Sequence, residues 1–148
     1  MQVIGFNLTK ISALREEQLK RASINTHIEF TKVEKEKIEM LKDSEAIKLN
    51  FRFTITYGDP NKNSDKKEDK EQNSGELVFE GLIVLSLSKD QSKEFQKAWK
   101  NKQVPQDSVV PLYNMILKKC SVKALQLEDD LNLPLHIPFP QVKKQEKS

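Results

Sequence analysis

Residues 45–57 read EAIKLNFRFTITY. Ile47, Leu49, Phe51, Phe53, Ile55 and Tyr57 occupy every second position, and Lys48, Asn50, Arg52, Thr54 and Thr56 fill the gaps. A helix would scatter those six apolar groups around its circumference, whereas a strand gathers them on one face. The aromatic and β-branched content suits a pleated, half-buried surface. A strand of this length with one wet face belongs in an antiparallel sheet, since parallel strands are usually covered on both sides.

Working outward, the segment from Val3 to Leu14 alternates Ile4, Phe6 and Leu8 against Gly5, Asn7 and Thr9. Ile11 and Leu14 then fall out of step, as a bulge or a strand end would make them. Arg15 to Ala22 has no apolar face and reads as a polar connection. A second strand opens at Ile24, with Ile24, Thr26, Ile28 and Phe30 on one face. Its continuation to Met40, KVEKEKIEM, fits either a charged edge strand or a short helix. Downstream, Glu76 to Leu87 reads ELVFEGLIVLSL. Leu77, Phe79, Gly81, Ile83, Leu85 and Leu87 share one face, while Val78, Leu82 and Val84 make the other face apolar too. Such a strand is expected to be covered on both sides, by a helix on one and by the chain's own tail or another subunit on the other, and Gly81 marks a bend or a close backbone approach.

Two helices follow. Ser88 caps SKDQSKEFQKAWK, in which Phe95 and Trp99 stand four apart and meet on one side. A longer helix starts around Pro105, Asp107 and Ser108 and runs to about Leu131, with Pro111 expected near its first turn. Val109, Leu112, Tyr113, Ile116, Leu117, Cys120, Ala124, Leu127 and Leu131 form a broad apolar stripe, widened by Met115, Val122 and Leu125. LPLHIPFPQ, from Leu133 to Gln141, carries three prolines and cannot be helical, so its apolar residues need a groove to rest in. The elements together give an α+β domain: a four-stranded antiparallel sheet packed against one long C-terminal helix plus a short helix.

With 148 residues, residues 1–141 make one domain, interrupted by a mobile polar hairpin loop at 58–75 and followed by a disordered basic tail at 142–148. Charged residues are 32% of the chain, the net charge is +3 and the mean hydropathy is −0.65. No window is apolar enough to insert in a bilayer, and the N-terminus lacks a secretory pattern. One cysteine, Cys120, allows neither an internal disulfide nor a cysteine metal cluster, which fits a cytoplasmic setting. The positive charge is almost all Lys; Arg15, Arg21 and Arg52 are the only arginines. Nucleic-acid readers lean on Arg, so scattered Lys reads first as solubilising surface.

Motifs for catalysis are scarce. His27 and His136 lack companions at ligand or nucleophile spacing, and read as a surface strand residue and a packed tail residue. The four glycines are too far apart for a phosphate loop. Asp59, Asn61 and Asn63 have calcium-loop spacing, but Ser64 replaces the required Gly and Lys70 the bidentate Glu. Glu16/Glu17 and Asp129/Asp130 lie on polar faces. No enzyme, metal or cofactor is expected. The apolar surface, by contrast, exceeds what one small core needs, which points to self-association or to binding of extended, unfolded chains.

The order of elements resembles the SecB-type export chaperones and their SecB-like relatives. It is carried by FNLTKIS, HIEF, EAIKLNFRFTITYG, GELVFEGLIVLSLS, VPQDSVVPLYNMILKKCSVKAL and the LPLHIPFPQ tail. The resemblance implies ATP-independent holding of unfolded polypeptides in apolar grooves, and helices that pack protomers into a homodimer or homotetramer. Carried over by position, Ile24, Ile28, Phe30, Trp99, Val104, Leu133, Leu135, Ile137 and Phe139 would contact clients. Leu112, Met115, Ile116, Lys119 and Val122 would face another subunit. Two departures bear on partners: this chain is basic where bacterial SecB is acidic, and VKKQEKS has no metal-binding Cys or His, so docking to the translocase ATPase is not expected. The alternatives are a basic ribosome- or nucleic-acid-associated protein, using Lys32, Lys35, Lys37, Lys42, Lys143, Lys144 and Lys147, or an adaptor with one fixed protein partner.

Overall fold

The alternating stretch at 45–57 becomes an inner strand of the sheet. The computed structural model describes residues 1–19, 23–36, 44–58 and 74–144. Four strands, β1 (Gln2–Arg15), β2 (Ser23–Glu36), β3 (Glu45–Gly58) and β4 (Gly75–Leu87), form one antiparallel sheet in the order β1-β4-β3-β2. Helices α1 (Lys89–Trp99) and α2 (Gln106–Asp130) follow, and the chain from Leu131 to Lys144 has no regular secondary structure, with a turn at Leu131–Asn132 and a bend at His136–Ile137. Parts of the polar connection (20–22), of the charged continuation of β2 (37–43), of the 58–75 loop (59–73) and of the tail (145–148) lie outside the described residues. So does the calcium-like spacing at Asp59, Asn61 and Asn63.

The ladder register places the apolar rows of β3 and β4 side by side: Leu49 opposite Ile83, Phe51 opposite Gly81, Phe53 opposite Phe79 and Ile55 opposite Leu77. All are buried, together with Leu112, Ile116, Cys120 and Ala124 of α2. Those four helix residues stand at i+4 steps, so one ridge of α2 closes the core over the two central strands. Three contacts trace the path of α2. Tyr113 meets Phe30 with ring centroids 5.4 Å apart, Lys119 Nζ lies 6.0 Å above the Phe6 ring, and the Tyr57 hydroxyl donates to Glu128. Helix α1 is closed at its start by Ser88, whose hydroxyl accepts from the Gln91 N–H while the Gln91 side chain accepts from the Ser88 N–H.

One local expectation needs correction. In β1 the register slips twice, at Ile4 and at Thr9, rather than once. The first bulge turns Val3 instead of Ile4 toward the helix side, and leaves Ile4 exposed. Pro111 lies in the second turn of α2, where its nitrogen cannot donate to the Asp107 carbonyl; both residues are exposed, so water can serve that carbonyl. Val78, Leu82 and Val84 are half-buried and stand outside the core cluster, so the second cover expected for β4 does not come from the described residues of this chain. Their neighbours on that side are cross-strand polar groups. Arg52 of β3 bridges Glu29 of β2 and Glu80 of β4, at 3.0 and 2.9 Å. Lys48 pairs with Glu34 and Glu36. Exposed pairs of this kind contribute little stability, but opposite charges placed across the ladder favour this register.

Candidate functional site

Because β2 is an edge strand, its apolar face is shared with α2 on one side and open on the other. The link between α1 and α2 runs beside that opening. The result is a groove of about 1040 Å³ between β2, the α1–α2 link and the start of α2. Ile28, Phe30, Trp99 and Val104 line it, joined by Val109 and Tyr113. His27, Glu29, Lys102 and Asp107 supply its polar rim, with Lys102 Nζ 5.2 Å above the Trp99 ring. Val104 itself is nearly buried and forms wall rather than free surface.

The remaining expected contact residues lie outside the groove. Ile24 is half-buried at the margin of the core, opposite Tyr57, and does not line the groove. Leu133 is buried, packed close to Gly75. Leu135, Ile137 and Phe139 of the C-terminal segment are 40%, 37% and 60% exposed. Sequence position thus gathers four of the nine residues into the groove and leaves the segment 133–139 as a second apolar surface. Of the helix residues assigned to a subunit contact, Leu112 and Ile116 are fully buried against this chain's own sheet. Met115 is half-buried, and Lys119 and Val122 are exposed.

The segment 133–139 is tied to the body of the domain through a buried polar cluster around His136. Glu128, with no exposed surface, accepts from the Tyr57 hydroxyl and from the His136 backbone N–H (3.0 Å) at Oε2. Its Oε1 is 2.7 Å from His136 Nδ1. A carboxylate only accepts, so Nδ1 carries the proton in this contact. His136 Nε2 lies 3.2 Å from Ser121 Oγ, and the ring stands edge-on to Phe53 at 6.5 Å. Burial, then the hydrogen bond and the charge of Glu128, raise the Tyr57 phenol well above its ordinary value, so it stays a donor.

Sequence reasoning placed His136 in a packed tail but missed Glu128, Tyr57 and Ser121 as its partners. A signal was present: Leu112, Ile116, Cys120, Ala124 and Glu128 form one unbroken i+4 row, and an acid on such a row must find partners inside. Tyr57 likewise ends the buried row of β3. Cys120 lies on the same helix row, where burial pushes its thiol up to about 11. It therefore behaves as a small apolar residue rather than a nucleophile.

Ser121, His136 and Glu128 touch in the order of a nucleophile, a base and an orienting acid. Ser121, however, is buried inside α2, where the helix ladder occupies the backbone N–H groups that could stabilise an oxyanion. Neither the large groove nor the smaller recess beside Leu133 is lined by Ser121 or His136. Among the described residues no group of three or more His, Cys, Asp or Glu side chains could hold a metal ion, and no helix is long and apolar enough to cross a membrane. Comparison of the chain with protein-family models, with curated proteins and with solved structures finds no match.

Proposed function

We propose that the protein is an ATP-independent holdase that binds unfolded polypeptide in apolar surface grooves, a SecB-like chaperone acting in the cytoplasm. The observation that carries this reading is the groove itself. Three aromatic rings, Phe30, Trp99 and Tyr113, share it with Ile28 and Val109 along an open edge of the sheet. An apolar wall with His27, Glu29, Lys102 and Asp107 at its rim suits an extended chain, whose side chains can rest on the wall while its backbone meets the polar groups. Burial of client side chains would supply affinity at about 25 cal/mol per Å², before ordering costs are subtracted. Assembly into a homodimer or homotetramer and a role in protein transport belong to the same reading. Met115, Lys119 and Val122 remain accessible to a second copy.

Trp99 is the single tryptophan of the chain and lines the groove, so its fluorescence reports occupancy directly. Titration with a chemically unfolded client is expected to shift Trp99 emission. Ile28→Asp and Phe30→Asp are each expected to weaken binding by at least about tenfold, since a charge must be desolvated for the client to enter. Circular dichroism should show the sheet retained, because both residues are only half-buried at the edge strand. Undiminished binding in both variants would move the client site away from the groove. A nucleic-acid role would instead show binding that falls steeply with salt and does not respond to these substitutions.

A further inference from the structure

We propose that Pro134–Phe139 is a strap that opens and closes as a unit, hinged at Asn132 and Leu133 and held shut by one polar catch, His136. The hinge is marked by backbone geometry: Asn132 ends α2 in the left-handed region at φ 52°, and the next N–H, of Leu133, returns to the Glu128 carbonyl at 2.8 Å. Past that point the strap is poorly tied. Pro134, Pro138 and Pro140 have no N–H to give. Among the described residues, every hydrogen bond between 134–144 and the rest of the protein belongs to His136.

The apolar side chains do not replace those missing bonds. Leu133 is buried and stays in the core as the anchor of the hinge, but Leu135, Ile137 and Phe139 all remain substantially exposed. Closure therefore depends on two contacts to Glu128 and one to Ser121, all from one residue. When the strap lifts, Glu128 keeps the Tyr57 hydroxyl as a partner, so the buried carboxylate is not left bare. What is uncovered is the edge of Phe53, the ladder partner of Ile28. Opening thus lengthens the apolar floor that begins at the groove. His136 and Glu128 are positioning residues here; neither needs to touch a ligand. The proposal concerns the strap alone and does not depend on the holdase reading.

Hydrogen exchange on the full-length protein tests it, read by mass spectrometry in fragments covering 133–140, β3 and β4. In the parent chain the His136 amide is expected to exchange faster than the β3 and β4 ladders, which marks opening without unfolding. His136→Leu is expected to accelerate exchange in 133–140 by about tenfold or more while β3 and β4 keep their protection. His136→Asn, whose amide nitrogen can stand near the place of Nδ1, should restore part of that protection. Three results would overturn the proposal: strap and sheet exchanging together in the parent, strap protection unchanged in His136→Leu, or a His136→Leu chain that cannot fold. Each would make the segment a part of the cooperative core or place its catch elsewhere.

Discussion

Replacing Gly81 by valine is expected to destabilise the protein by about 3 kcal/mol or more, a large share of the stability of an ordinary domain. Gly81 sits in β4 between Leu8 of β1 and Phe51 of β3. A Cβ there would lie 2.5 Å from the Asn7 carbonyl oxygen and 2.8 Å from Phe51 Cζ. The carbonyl belongs to a paired strand and cannot swing aside, and the Phe51 ring is held by stacking on Phe6 at 5.5 Å. Gly5 provides the control. A Cβ at that position meets only Val84 side-chain atoms at 3.6 Å, an ordinary contact, so Gly5→Ala should change stability by less than about 0.5 kcal/mol. Urea unfolding of the two variants separates the cases. Equal midpoints would show that β1 and β4 do not approach as described.

Glu128→Ala is expected to cost about 3–5 kcal/mol. The penalty is less the loss of attraction than the orphaning of donors: Tyr57 O–H, the His136 N–H and His136 Nδ1–H would all lose their acceptor in the interior. Tyr57→Phe removes one donor and leaves Glu128 two others, so about 1–2 kcal/mol is expected. The double variant should cost clearly less than the sum, because the orphaned phenol is no longer present. Strict additivity in this cycle would mean that the two side chains do not meet.

Those two sites also show where sequence reading succeeds and where it stops. The period of two at Ile47–Tyr57 and Leu77–Leu87 placed both central strands on the correct face, because a single residue's slip would have turned either row into water. The long apolar stripe of α2 and the proline-barred segment after Leu131 were legible for equally local reasons. Ile4 was misassigned because a bulge inserts one residue without changing composition, and nothing in the alternation of β1 announces it. The groove was half legible. Ile28, Phe30, Trp99 and Val104 came from positional resemblance, whereas Tyr113 and Val109 were counted as helix stripe. Only the crossing of α2 over the β2 edge decides that these two look outward into a groove. Glu128 stayed hidden because an acid beside Asp129 and Asp130 reads as solvated surface until the i+4 row is drawn.

The central claim, that the apolar groove holds non-native chains, is tested most directly by light scattering. A chemically denatured, aggregation-prone protein is diluted with and without this one, in the absence of nucleotide. Suppression of scattering at near-stoichiometric amounts by the parent, and its loss in Phe30→Asp, is the expected result. Scattering that rises unchanged in the presence of the parent protein would contradict the holdase reading, and would leave the groove to one fixed, folded partner.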